Sequence, residues 1–532
     1  MKKIILITAA LILAFNAFCL EVDEKELKGT ENTTIEFINY AGPHKVIDSA
    51  ESIRGIGSIL GTEVGKDATA PSAYGTSARY RVVHAVDAEE KGKLDADIIF
   101  IGSDATVDHI DNVRRIISGY LSSAYGYSEK DAATLSVFVT VYNAVYRGKL
   151  DVYQAKYKSV VLKNLTEADC GLSVNYKDWP GKSQIVIPLF DVKEGGISTV
   201  DTSVISDTKV VDSMKEDDGK NIDSRKDMVD LKERESEKAS EKAKTAQKNA
   251  VEEQKKLDEQ KAKTAETKKE AEQAQKKADD KQKTAQANPN DKQAQKEAAE
   301  AKKDAEKKQE AVKQEEKKEA EQEKKTEKAK ETAKTQQAVA DKKQTEAQSE
   351  RKEIAKDQKE VQKAEEEAEK APSDYGLILS DEKNLLSKLV KFNRQTGAII
   401  KNSPVSVIRN RTIYKAADGY IAIAGEEKGN GAIKLVVINA DTMEIASECD
   451  NKIAADSVLV QDGSDYYCVV NDDGKFYVAK FGSDLSLKLK SPVEVKSSTP
   501  ITVNASELVV TGKDGKLKVI SRSDLKDVAS GK

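Results

Sequence analysis

The side chains with chemistry to offer are few and dispersed along the chain. The histidines His44, His84 and His109 do not cluster, and no CxxC spacing joins the cysteines, so neither a zinc set nor a histidine-centred acid–base site is expected. Beyond Cys19 there are Cys170, Cys449 and Cys468. In an oxidising compartment Cys449 and Cys468, which share one C-terminal stretch, pair as a disulfide and leave Cys170 over; the alternative is three buried thiols. Gly55-Ile56-Gly57-Ser58-Ile59-Leu60-Gly61 has the superficial look of a phosphate loop, yet no strand precedes it and the glycine spacing is wrong. Gly55 and Gly57 read instead as backbone turns. Arg114-Arg115 is the candidate contact for an acidic partner, set against a solvated helix face whose other side carries Val113 and Ile117. Tyr120, Tyr125, Tyr127, Tyr142, Tyr146, Tyr153 and Tyr157 fall at helical spacing, which makes most of them core, with a partner groove as the alternative. No catalytic residue, metal or cofactor is expected, because no arrangement of acids, His and Ser for a named reaction emerges.

The elements that must position these residues divide by composition. The chain has 532 residues, 34% charged and only 5% aromatic, with a formal net charge of −5. Such a balance exerts no general pull on DNA or anionic lipid, so a nucleic-acid partner is not expected. Residues 1–19 read as a signal peptide: Lys2 and Lys3, an apolar run from Ile4 to Phe18, then Cys19. Cleavage after Cys19 sends the protein to the periplasm or cell envelope. The alternative, a lipid on Cys19 and peripheral membrane association, meets a bulky Phe18 where lipidation favours a small residue.

Residues 231–370 are the most legible part. They hold 38 Lys+Arg against 36 Asp+Glu, no Gly, no aromatic residue and one Pro, so half the segment is ionic and propensity favours helix throughout. Ala243, Ala250, Leu257, Thr264, Ala271, Ala278 and Ala285 recur every seven residues, and a second column runs from Ala298 through Ala305, Val312, Ala333, Ala340, Ala347 and Ile354 to Ala368. Alanine buries little area, so the expectation is a weak coiled coil, with a coiled-coil homo-oligomer among its forms, or a single helix braced by Glu/Lys pairs. Asn288-Pro289-Asn290-Asp291 interrupts the run as a hairpin turn or a kink at 288–291. In either geometry the segment reads as a spacer that holds its two neighbours apart.

Residues 375–532 reverse this chemistry. Short alternating β-formers lie between turns such as Asp473-Gly474 and Asp514-Gly515, and Lys434, Lys475 and Lys516 open matching strands in units of about 41 residues. Each strand leads to a turn aspartate, Asp441, Asp484 or Asp524, whose side chain satisfies turn amides. A looser copy precedes them near Leu389, and the pattern predicts an all-β propeller-like repeat domain. Residues 20–192 have an ordinary globular composition. A strand at 97–102, a helix from Ser103 or Asp104, a second helix capped by Ser128 and ending near Tyr146, a third from Asp151 to Leu165 and a late strand at 184–187 predict a mainly helical α+β domain. Residues 193–230 read as a polar linker.

Several runs in the first domain are similar to one family. Glu21-Val22-Asp23-Glu24-Lys25-Glu26-Leu27-Lys28, Glu36-Phe37-Ile38-Asn39-Tyr40-Ala41-Gly42-Pro43 and Ile53-Arg54-Gly55-Ile56-Gly57 resemble the spirochaete P83/100 antigen. So do Arg114-Arg115-Ile116-Ile117-Ser118-Gly119-Tyr120-Leu121, Tyr142-Asn143-Ala144-Val145-Tyr146-Arg147-Gly148 and Trp179-Pro180-Gly181-Lys182-Ser183-Gln184-Ile185-Val186-Ile187-Pro188-Leu189. The C-terminal part is similar more loosely, and the charged middle in composition only. The resemblance implies an exported, envelope-associated antigen without enzymatic activity, and it carries over no catalytic residue. The resulting expectation is a structural or adaptor protein with a protein or cell-envelope partner. The runner-up is a periplasmic binding or scaffold module whose propeller-like domain receives a peptide or envelope polymer, and an enzyme is third.

Overall fold

A computed structural model describes residues 35–190, 199–217, 219–370 and 372–528. The signal-peptide reading of residues 1–19, with Cys19, lies outside the described residues.

The first module is built on an antiparallel sheet of β1 (Ser72–Ser77), β2 (Tyr80–Ala85), β3 (Asp95–Ile101) and β4 (Ser183–Leu189), in that spatial order. Alternation fails in β3 and β4 because both faces are covered: Ile98 and Ile99 are both buried, and every residue of β4 is. Helix α1 (Ala50–Gly65) crosses α2 (Ile110–Tyr125) at close range, and α3 (Glu129–Val145) runs through the core with Phe138, Val139 and Tyr142 buried. Serine caps start α1 and α3: Ser49 accepts from Ser52 N and Ser128 from Asp131 N, the latter at the predicted position.

The glycine run does not form turns. Gly55 and Gly57 both lie within α1, and a Cβ on Gly57 would stand 1.8 Å from Ile116 O of α2, so the residue is there to let two helix backbones approach. Helix α2 begins at Ile110 rather than near Ser103, with the His109 ring accepting from Asp111 N as its cap. The helix expected over 151–165 is two, α4 (Leu150–Lys156) and α5 (Ser159–Leu162). Between them Tyr157 is extended, bridges to Leu94 and buries its ring. Tyr120, Tyr142, Tyr146, Tyr153 and Tyr157 are all buried core.

Residues 200–217 and 219–230, expected to form part of a polar linker, complete this core instead. Helices α6 (Thr202–Ile205) and α7 (Thr208–Lys215) bring in Val200, Ile205, Val210 and Met214, joined by Met228 and Leu231. Widely spaced apolar residues among many charges hide such a contribution from a composition count.

The charged middle is a hairpin. Helix α8 (Ile222–Ala287) runs out for 66 residues, the chain turns at Asn288–Asp291, where Asp291 Oδ1 accepts from Gln293 N and Ala294 N, and α9 (Lys292–Lys370) runs back for 79. The two alanine columns face one another: Ala243, Ala250, Leu257, Ala271 and Ala278 are buried with Ala298, Ala305, Ala333, Ala340, Ala347 and Ile354. Where Leu or Ile is lacking, polar clamps take over. Gln260 Nε2 donates to Glu315 Oε2 at 2.7 Å, and Gln322 Nε2 donates to Glu253 Oε2 at 2.6 Å. Lys318 and Gln260 together hold the Glu315 carboxyl down to about 2. Polar partners at single core positions specify register at some cost in stability.

Because the hairpin returns, its two helices lock together at the base, and α9 also reaches the first module, where Ser203 donates to Glu346 at 3.0 Å and Lys215 meets Glu353 at 2.8 Å. Arg225 donates to Asp357 Oδ2 at 2.7 Å with both side chains buried, Glu235 accepts from Thr202 at 2.8 Å and from Lys343 at 2.6 Å, and Lys232 meets Glu350 at 2.5 Å. Arg234 to Asp131 at 2.5 Å and Lys130 to Asp227 at 2.7 Å fasten α8 to α3.

The β module is a series of antiparallel sheets: β5 (Ser373–Asp381), β6 (Leu386–Asn393) and β7 (Ile399–Asn402); β8 (Tyr414–Lys415) to β11 (Ile445–Glu448); β12 (Val460–Asp462) to β15 (Leu487–Glu494); and β16 (Thr502–Val503) to β18 (Leu517–Ser521). Successive sheets stack on separate cores. Leu389 packs with Ala422 and Val436, Ile423 and Leu435 pack with Cys468 and Phe481, and Val469 and Val478 pack with Leu508 and Ile520. Met443, Leu485 and Leu525 mark the repeat, each buried at positive φ just after a turn. Asp484 and Asp524 accept from turn amides as expected, whereas in the first matched unit Asn439 does so and Asp441 is a donor to it. Among the described residues no core joins the first sheet to the last, so the sheets form an open array and not a closed ring. Cys449 and Cys468 share the second of these cores as free, buried thiols; the disulfide is not formed, and Cys170 is likewise a buried thiol.

Candidate functional site

The two end modules, expected to be held apart, touch. Residues 38–45 form a strap between them. Ile38 N donates to Val174 O in the first module, while Lys45 N donates to Asn430 O at 2.6 Å and Ala432 N to Pro43 O at 2.8 Å in the second. Tyr40 drives its ring into the core between the first two β sheets, and its hydroxyl donates to Pro43 O at 2.8 Å and accepts from Glu426 N at 3.3 Å. Burial pushes the Tyr40 phenol up to about 12, so it remains a neutral donor.

Beside the strap lies a cleft of about 410 Å³, walled by the strap, the start of α1, the β1–β2 turn and the start of α2, with Asn430 contributed by the β module. Its apolar side is Ile47, Ile53, Ile56 and Ile116, and its polar side holds His44, Asp108, Arg79 and Arg115. His44 Nε2 stands 3.1 Å from Asp108 Oδ2, and this hydrogen bond raises the imidazole above its ordinary range. A guanidinium beside an aliphatic wall suits binding.

The paired arginines separate. Arg114 is taken up internally: its Nε donates to Thr140 Oγ1 at 3.2 Å, Nη1 reaches Asp111 at 3.4 Å, and the guanidinium lies 5.7 Å over the Phe37 ring. Arg115, one residue on and thus turned about 100° around the helix, lines the cleft. Its Nη1 donates to Asn112 Oδ1 at 2.6 Å, and it forms no ion pair among the described residues.

A second polar cluster had no signature in the linear sequence. His84 and Asp97 are directly opposite in the β2–β3 register and both fully buried, with Nδ1 2.5 Å from Asp97 Oδ1. Nε2 lies 2.8 Å from Ala68 O, an acceptor only, and Tyr125 donates to Asp97 Oδ2 at 2.5 Å. Both ring nitrogens therefore donate, which describes an imidazolium facing a carboxylate. Burial opposes that charge, but the hydrogen bond and charge of Asp97 outweigh it and raise the His84 pKa. The two side chains are sealed from solvent, which makes the cluster a pin between strand, loop and α2. A cross-strand His and Asp at inward positions was its signal, visible once the register is known.

Among the described residues no helix is long and apolar enough to cross a membrane, and no group of His, Cys, Asp and Glu is placed to hold a metal. A comparison with curated proteins finds no match. The model of the family described as Borrelia P83/100 protein matches residues 24–501, which takes in the strap, the cleft, the helical arm and all of the β module except its last sheet. The chain belongs to the Borrelia P83/100 protein family.

Proposed function

We propose that the protein is a non-enzymatic cell-envelope adaptor: a two-module head carrying the cleft, from which a helical arm projects. The observation that carries this reading is the arm itself. Helices of 66 and 79 residues, about 100 and 120 Å at 1.5 Å per residue, are far longer than the head needs for its own core; a buried ion pair locks them to each other at the base, and side chains of Thr202, Ser203 and Lys215 tie them to the head. An arm of this kind sets a distance between what the head binds and what the tip meets. Export rests on the sequence of residues 1–19, and mass spectrometry of the native N-terminus tests it: processing to Leu20 is expected, while a lipid on Cys19 fixes the chain to a membrane.

Self-association through the alanine seam is not part of this reading, because the seam is already filled within the chain. A propeller-like receptor for a peptide or envelope polymer is a second reading of the β module, favoured by the open end of its array, where Leu517 is 74% exposed. The test is an arm shortened by three heptads on each side, deleting 258–278 and 302–322 so that the seam stays in phase. Crosslinking on intact cells is expected to preserve head contacts and change tip contacts. Unchanged contacts at both ends would contradict a spacing role, and turnover of an envelope substrate abolished by one substitution in the cleft would replace the adaptor with an enzyme.

A further inference from the structure

Resting on the adaptor reading of the head, we propose that the cleft beside the strap binds the free C-terminal end of an extended partner peptide with aliphatic side chains, its terminal carboxylate on Arg115. Three features of the cleft combine. First, Arg115 presents a guanidinium that Asn112 orients at 2.6 Å and no carboxylate neutralises among the described residues, and a planar fork of donors matches a carboxylate in geometry as well as charge. Second, the strap leaves the β module at Lys45 and continues as Val46 and Ile47, 68% and 78% exposed, on the rim of the cleft. Side chains this apolar are rarely left in water in adjacent positions unless something covers them. Third, Val46, Ile47 and Asp48 make no backbone hydrogen bond among the described residues, while the residues just before them pair antiparallel with the 430–431 segment. A short exposed stretch with free amides and carbonyls, continuing an existing pairing, is what an added strand requires; the main chain gives affinity and the side-chain pockets give selectivity.

The counter-charges choose among anions. Of the carboxylates lining the cleft, Asp108 is taken up by His44 at 3.1 Å, and Asp48 stays beside Ile47. A ligand acidic along its length would meet Asp48, whereas an aliphatic segment ending in a single carboxylate places its charge at Arg115 and its side chains against Ile47, Ile53 and Ile56. The volume of about 410 Å³ falls in the ordinary range for small bound ligands, roughly 300–1,000 Å³.

The probe is a fluorescein-labelled hexapeptide, Gly-Ser-Thr-Val-Ile-Val, offered to the full chain as the free acid and as the C-terminal amide and followed by polarisation. The acid is expected to bind at least about tenfold tighter than the amide, the worth of one charge-assisted contact. Arg115→Gln should erase that ratio while leaving the amide where it was, and Ile47→Asn should weaken both peptides alike. Unchanged Trp179 fluorescence serves as the folding control for each variant. Absence of saturable binding, equal affinity of acid and amide, or a ratio that survives Arg115→Gln would overturn the assignment. Binding that emerges only after residues 20–34 are removed would give the cleft to the chain's own acidic N-terminal segment and overturn it too. Capture of an envelope protein by the head that Arg115→Gln leaves intact would keep the adaptor reading and discard only the peptide-end ligand.

Discussion

Cutting the clamp at the base of the arm should part its two helices, and the ion pair between Arg225 on α8 and Asp357 on α9 is the place to cut. The two side chains are 3% and 10% exposed and 2.7 Å apart, and Lys220 adds a second cation 3.6 Å from Asp357. At an effective dielectric of 20 the pair's gross attraction is about 6 kcal/mol, most of which offsets the loss of water around two charges. Removing Asp357 leaves Arg225 buried without a carboxylate, at a cost of about 3–5 kcal/mol, whereas removing Arg225 leaves Asp357 beside Lys220 and costs less. Asp357→Ala should show that loss as faster amide exchange over residues 222–235 and 345–360, by about two to three and a half orders of magnitude, and Arg225→Ala should show a smaller one. Arg225→Met with Asp357→Leu should recover most of it, because the double change removes both desolvation terms together. The pair also carries an acid limb. Burial opposes ionisation of Asp357, but Arg225 prevails and holds the carboxyl below its usual range. Its contribution is therefore present above the unfolded value near about 3.9 and is lost as pH falls through the folded one. An Asp357→Ala cost of less than about 1 kcal/mol, or costs that simply add in the double variant, would refute the claim that this pair clamps the base of the arm.

Two further perturbations act within the head. Gly57→Ala places a methyl 1.8 Å from Ile116 O and should cost about 1–3 kcal/mol by forcing α1 from α2, whereas Gly55→Ala, with nothing within 4 Å, should be neutral or stabilise by up to about 1 kcal/mol; denaturant titration followed by Trp179, the sole tryptophan, separates them. His84 is raised in the fold, so its stabilisation is complete below the unfolded value near about 6.5 and fades as pH rises through the folded one. In a His44→Gln background, chosen because His44 titrates in the same direction, melting temperature should fall from pH 6 to 9, and His84→Gln should flatten that slope; equal slopes would contradict an imidazolium at His84.

The arm was legible because its seam repeats on a fixed period, and period is a local property. Which way the chain goes at Asn288–Asp291 was not, since a proline break is compatible with a turn or a kink. What decides it are pairs such as Arg225 with Asp357 and Lys232 with Glu350, more than a hundred residues apart and indistinguishable in composition from the solvated Lys and Glu around them. The strap was hidden for a different reason. Its bonds from Lys45 N and Ala432 N are main-chain bonds, which any residue makes, so no side-chain type advertises the joint between modules. Arg115 was identifiable only as half of a candidate Arg114-Arg115 pair, and its separation from Arg114 depends on where α2 starts and what packs on it. His84 and Asp97 lie 13 residues apart and become neighbours through strand register alone.

The central claim is that the arm doubles back so that the two end modules form one head. Spin labels at Lys45→Cys and Lys428→Cys, on either side of the joint, test it by pulsed dipolar spectroscopy in the chain carrying Cys19→Ser, the thiols at 170, 449 and 468 being buried. A single narrow distance at the short end of the measurable range is the predicted result. No measurable dipolar coupling, as expected when α8 and α9 lie end to end over about 220 Å, would contradict it.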